Sequence, residues 1–399
     1  MKPIAVLGRL SFLAIAVLVL SGAAIQPAVP RTPVTQALDL RVPWQPSPVK
    51  VDGQWRLAYE LHLDNYSGEP LTLKRLRVIQ PDTGQALREY ESDSLRSLLG
   101  QPGKTSQGQD ALTIAPGTHA IVFLDIPLPD VPTADFRLSH ELDADVPDKP
   151  ARSIRGGAVT LHGWAMPVVL SAPLRGGYWV AVYDASWPRG HRRSVYAVNG
   201  EAHVPGRFAI DWIKVDRTGH YTKGDATEPT NWLGYGEDVL AVADGVVAAA
   251  MDGMAEPARV DPGKPTRVPL QDASGNYVSL DMGGGRYVFY EHLKTGSVTV
   301  KAGQKVHRGD VIGRLGYSGE TTGPHLHMHV ADVNSPLDAE GIPYALDRFV
   351  WTGRYGTIDD FGKEKPWQPS AQVISRRGEL PGSLSVVTFA PMTYFFNDK

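Results

Sequence analysis

Residues 323–329 read GPHLHMH, three histidines in five positions. Alternate side chains of a strand share one face. His325, His327 and His329 would then project together, with Leu326 and Met328 turned to the core. Imidazoles at this spacing can share one metal site, one as ligand and another as proton-transfer group. A polar strand face without metal is the plain alternative, and the density of histidine argues against it. Five of the 12 histidines fall between His292 and His329. The chain has no cysteine. Disulfides and thiolate chemistry are excluded, so a metal site must use His, Asp, Glu or water.

The elements that must position these groups read as strands. Signals at 277–282, 286–293 and 298–301 precede a segment punctuated by Gly303, Gly309, Gly313, Gly316 and Gly319. Glycine permits positive φ, so this is a series of tight reversals. Residues 239–250, apolar apart from Asp244 and Gly245, predict a hairpin.

Toward the N-terminus, residues 55–66 (WRLAYELHLDNY) and 71–79 (LTLKRLRVI) alternate apolar with polar. Similar runs follow at 119–128 and 136–142, with turn signals between them. This spacing predicts an antiparallel β-sandwich. Only 91–99 resembles a helix. His62, His119 and His140 in this region read as ordinary surface or core residues. The region's default role is adaptor, spacer or partner-binding module.

Lys2 and Arg9 flank an apolar run at 10–20, followed by small residues at 21–24. That is the pattern of a secretory signal. A retained membrane anchor is the alternative, but the run is short of the roughly 20 residues a span needs. The predicted organisation is a signal peptide at 1–24, a linker at 25–37 and a sandwich at 38–148. A β-rich second domain follows at 155–350, then a tail at 351–399. The polar stretch 143–153, with Pro147 and Pro150, reads as the boundary. A net charge of -3 gives no basic surplus for nucleic acid.

Residues 318–327 (SGETTGPHLH) closely resemble the signature of the lysostaphin-type, or LytM-like, M23 metallopeptidases. Residues 290–293 (YEHL) resemble that family's second motif. Residues 300–306 (VKAGQKV) and 309–313 (GDVIG) resemble the hairpin between them, and 208–212 (FAIDW) the segment holding its aspartate. The resemblance implies an M23-like β fold and a zinc ion (Zn2+) bound by Asp211 and His327. It implies that His292 and His325 activate water and stabilise charge at the scissile amide. His329 reads, on its own position, as a group supporting the site. The implied substrate is the stem or cross-link peptide of peptidoglycan.

One position departs from the family pattern. The resemblance places a ligand histidine four residues before the aspartate, where this chain has Arg207. A guanidinium stays protonated and offers no lone pair to a metal. His191, His203 and His220 are the replacements to consider. His191 is preferred, because a loop re-aims a side chain more readily than a strand does. Its loop must fold back over Asp211 while Arg207 turns aside to a carboxylate. In the opposing arrangement, Arg207 pairs with Asp211 and fills the metal position.

The leading expectation is an exported zinc endopeptidase, periplasmic or extracellular, free of the membrane once the signal is cleaved. The alternative is a zinc-impaired binding module that recognises murein or activates a partner cell-wall hydrolase. A biotinyl or lipoyl carrier fits poorly, because residues 307–310 (HRGD) supply no lysine at the turn.

Overall fold

The alternation at residues 55–66 folds as the strand Gln54–Asn65. Its inward positions Leu57, Tyr59, Leu61 and Leu63 are buried, because successive strand side chains face opposite sides. The computed structural model of the chain describes residues 36–101, 109–130, 135–161, 166–184, 187, 190–261 and 263–389. The expected signal segment, and the expected linker up to residue 35, lie outside the described residues. Among the described residues, no helix is long and apolar enough to cross a membrane.

The protein is mostly β. Two five-stranded antiparallel sheets come first. One holds Leu38–Arg41, Gln54–Asn65, His119–Leu128 and Leu99–Gly100, with Pro48–Val51 also paired to Gln54–Asn65. The other holds Lys149–Leu161, Phe136–Val146, Leu71–Gln80 and Gln85–Glu91, with Thr113–Ile114 on Leu71–Gln80. Leu57, Leu61 and Leu124 of the first share one buried cluster with Leu73, Leu76 and Leu142 of the second. The helix expected near 91–99 is Ser92–Leu98.

The segment expected as a domain boundary is a hairpin instead. Phe136–Val146 turns through Asp148, at φ 56°, into Lys149–Leu161. That last strand is at the sheet edge, where Pro150 need not donate to a ladder. The N-terminal region therefore runs to Leu161, past the expected limit of 148.

A ten-stranded antiparallel sheet follows. Its spatial order is Lys305–Val306, Gly245–Met251, Asn276–Asp281, Tyr287–Leu293, Leu326–Ala331, Ile210–Val215, Tyr178–Val182, Ser385–Thr388, Phe349–Arg354 and Gln368–Arg376. Trp179 and Ala181 enter one buried cluster while Val180 and Val182 enter another. The sheet is thus covered on both faces there, which removes any polar alternation from the sequence.

Two further expectations are corrected. Residues 239–250 do not form a hairpin: Asp238–Leu240 pairs with Val311–Arg314, and Gly245–Met251 joins the large sheet. A turn dipeptide alone did not decide pairing where better-matched strands were available. The expected tail at 351–399 instead contributes three strands within 349–388 to the large sheet.

The outer face of the first sheet is not left to solvent. Val49 is part of the large sheet's core, and Val51 and Ala58 pack against it.

Candidate metal centre

The strand order assembles the site. Leu326–Ala331 lies between Tyr287–Leu293 and Ile210–Val215. Asp211 and Glu291 are therefore both direct cross-strand partners of His327. Asp211 Oδ1 is 2.8 Å from His327 Nδ1. His325, just before its strand, brings Nε2 to 3.4 Å from the same oxygen.

His292 joins through a local distortion. The pairing of its strand shifts register between Tyr290 and Leu293, and His292 adopts φ 62°. Such bulges re-aim side chains, and a non-glycine residue held there stores about 1–3 kcal/mol of strain. The surroundings enforce it: the His292 amide donates to the Ser274 carbonyl at 2.9 Å. Its ring centroid lies 4.8 Å from that of His325.

His191 arrives from the 3-10 turn His191–Arg193. Its Nε2 is 2.8 Å from Asp211 Oδ2, and its ring centroid is 4.4 Å from that of His327. One ligand atom each from His191, Asp211 and His327 lie within 4.8 Å of one another. His292, His325 and His327 meet the same limit, as do Glu291, His327 and His329.

Arg207 is turned away. Its Nε lies 3.2 and 3.0 Å from the two Glu60 oxygens, and Nη2 donates to Glu60 Oε2 at 2.7 Å. Nη2 is also 2.5 Å from Glu340 Oε2, and Nη1 donates to the Gly341 carbonyl at 2.9 Å. The other candidate ligands lie elsewhere. His203 contacts Glu340 and Asp338, and His220 contacts Thr218 and Asp216.

Hydrogen bonds fix the tautomers. A carbonyl only accepts, so Nδ1 of His292 donates to Ser318 O at 2.9 Å and Nδ1 of His325 donates to Gly323 O at 2.8 Å. Each Nε2 is left with its lone pair. His327 Nε2 lies 3.1 Å from His329 Nδ1. An ionised carboxylate also only accepts, so His327 Nδ1 and His191 Nε2 donate to the two Asp211 oxygens, and these are the protons a metal would displace.

The charges follow from burial and neighbours. Burial would raise the Asp211 carboxyl, but His191 and His325 outweigh it and hold the group well below its usual range. Burial would lower His191, yet Asp211 outweighs that and raises it. Burial, then His325 and His327, hold His292 well below the ordinary imidazole value. Burial and then His191 push His327 down to about 4. Burial pushes Glu291 up to about 7. A divalent ion needs neutral imidazoles and an ionised aspartate, so its binding would release the proton that Asp211 favours on His191.

A groove of about 620 Å³ opens over these groups, with Trp187, Tyr196, Arg267 and Glu320 along its walls.

Glu60, Glu291 and Glu340 were not anticipated. Glu60 sits on the polar side of an alternating strand, which reads as solvent-facing. Nothing in its own segment signals that another core covers that side. Glu291 had a usable signal, because it neighbours His292 in the YEHL motif.

Residues 233–339 match peptidase family M23. The chain carries an M23 peptidase domain. The match contains Glu291, His292, His325, His327 and His329; His191 and Asp211 precede it. A 114-residue stretch is 34% identical to the peptidoglycan DD-endopeptidase ShyA of Vibrio cholerae serotype O1, covering 28% of this chain and 22% of that relative. A 66-residue stretch is 41% identical to ShyB of the same organism, covering 16% of this chain and 15% of the relative. The chain thus spans less than a quarter of the length of either relative. Among solved structures, the catalytic domain of lysostaphin from Staphylococcus simulans aligns at 20% identity and a TM-score of 0.23, over 42% of this chain and 88% of that one.

Proposed function

We propose that the chain is an exported zinc-dependent endopeptidase that cleaves peptide cross-links of peptidoglycan, in the periplasm or outside the cell. The observation that carries this reading is the convergence of His191, Asp211 and His327 while Arg207 is held by Glu60 and Glu340. Two imidazoles and one carboxylate are a donor set that suits zinc and leaves a coordination position open. His191 Nε2, an Asp211 oxygen and His327 Nδ1 would hold the ion. Zinc, when bound, supplies a Lewis acid that polarises the amide carbonyl and acidifies water.

The chain's own groups do the rest. His292 and His325, each with a free Nε2, take a proton from the attacking water and pass one to the departing amine. Once protonated, they also stabilise negative charge at the scissile amide. His329 orients the His327 ring, the task of a group behind a ligand. The groove between Arg267 and Glu320 would receive the peptide.

The alternative of a zinc-impaired binding module requires Arg207 in the metal position beside Asp211. The partners of Arg207 favour the enzyme instead. The test is digestion of purified cross-linked peptidoglycan by the zinc-loaded protein, with released muropeptides read by mass. Cleavage that stops with His327→Ala is expected. Intact cross-links after treatment with zinc-loaded wild type would overturn the proposal.

A further inference from the structure

We propose that Glu60 is a positioning residue for His191, so that the N-terminal sheets are a working part of the metal centre. This rests on the reading of His191 as a zinc ligand.

Glu60 lies on the outer face of Gln54–Asn65, yet only 3% of it is exposed. The second region buries it and surrounds it with two guanidinium groups. Arg207 forks onto it, and Arg192 Nη2 lies 3.6 Å from its Oε1. Arg192 is the residue after His191. It also donates to the carbonyls of Leu124 at 2.6 Å and Tyr59 at 3.2 Å, both on the first sheet.

The following residue is pinned to the same sheet. Arg193 lies over the Phe123 ring at 5.2 Å and donates to the Ser97 carbonyl. The turn that presents His191 is therefore anchored by two successive arginines to the N-terminal region.

The two arginine-bearing turns also touch each other. A Cβ at Gly206 would lie 2.7 Å from His191 Cβ and 3.0 Å from its carbonyl oxygen. One carboxylate thus fixes both turns: it draws Arg207 away from Asp211 and holds Arg192 so that His191 reaches Asp211. Arg192 is 6% exposed, and its Nε and Nη1 have no hydrogen-bond partner. Without Glu60 it becomes a buried cation short of a counter-ion, which drives it toward water. His191 must follow, because it is the adjoining residue of a three-residue turn.

A purely structural ion pair would predict a different outcome, so a double-mutant cycle decides. Zinc affinity of the full chain is measured by competition with a chromophoric chelator for wild type, Glu60→Gln, His191→Ala and the double variant. Melting curves are recorded alongside. We expect Glu60→Gln to weaken zinc about 10–100-fold, the range for groups that orient a ligand. In the His191→Ala background it should change nothing further.

Unchanged affinity in Glu60→Gln, or an equal loss in both backgrounds, would overturn the proposal. If Glu60→Gln does not fold, Glu60→Asp replaces it, with a smaller loss expected that again vanishes without His191. If wild type binds no zinc, the proposed function fails on its own. The positioning claim is then decided by the His191 imidazole 15N resonances of the metal-free protein. A shift in Glu60→Gln supports it, and an unmoved spectrum overturns it.

Discussion

Asp211 stands directly opposite His327 in neighbouring antiparallel strands, with Oδ1 2.8 Å from Nδ1. Backbone pairing of two central strands sets this distance, not a loop. The pair is therefore preformed. Asp211→Asn keeps the shape and removes the charge, so zinc binding measured by calorimetry should fall by more than about 100-fold, beyond the usual effect of a supporting group. Retained affinity would show that Asp211 is not a ligand.

His292 and His325 should separate chemistry from metal binding. Each uses Nδ1 to donate to a backbone carbonyl and keeps Nε2 free. Alanine at either position is expected to leave zinc content unchanged and lower turnover about 10²–10⁴-fold, the usual worth of a proton-transfer group. Metal content and muropeptide release on the same preparations check this. Loss of zinc in either variant would assign it as a ligand instead.

Arg207 should matter for stability rather than for turnover. Its side chain is 7% exposed and is paired with two buried carboxylates. Arg207→Met would leave Glu60 with Arg192 at 3.6 Å and Glu340 with His203 at 3.2 Å but break their closest ion pair, and breaking a buried pair costs about 3–5 kcal/mol. Urea denaturation should report a loss of this size. A loss below about 1 kcal/mol would place the pair in the surface class.

Acid should weaken the N-terminal region through His140. This histidine is buried: Nδ1 donates to the Gly157 carbonyl at 3.1 Å, and Tyr59 Oη lies 2.9 Å from Nε2. Burial pushes it down to about 4 from 6.5. The folded state therefore binds fewer protons than the unfolded chain between these values, and stability falls as pH drops from 6.5 toward 4. Between pH 7 and pH 5 this group should remove about 2 kcal/mol. His140→Gln should start less stable at neutral pH but show a flatter acid slope, measured by thermal melts. An unchanged slope would contradict the assignment.

The site was more legible in sequence than the domain plan. His325 and His327 announce themselves by spacing, and the segments around Asp211 and His292 carry recognisable patterns. Central strands pair these segments, so their side chains met. The carboxylates that hold Arg207 were hidden, because Glu60 lies 147 residues from Arg207. The final strands were hidden for another reason. Ser385–Thr388 and most of Phe349–Arg354 are buried on both faces, so no polar alternation marks them. Gln368–Arg376, by contrast, is an edge strand with mostly exposed side chains. Pro147 and Pro150 misled, because a proline at a sheet edge looks like one in a linker.

If His191 takes the ligand role for which Arg207 is chemically unfit, the zinc content of purified wild type and His191→Ala will differ after dialysis against a buffered trace of the metal. We predict one tightly held zinc per wild-type chain and its loss from His191→Ala, with melting curves showing both proteins folded. Equal zinc in the two proteins would contradict the claim.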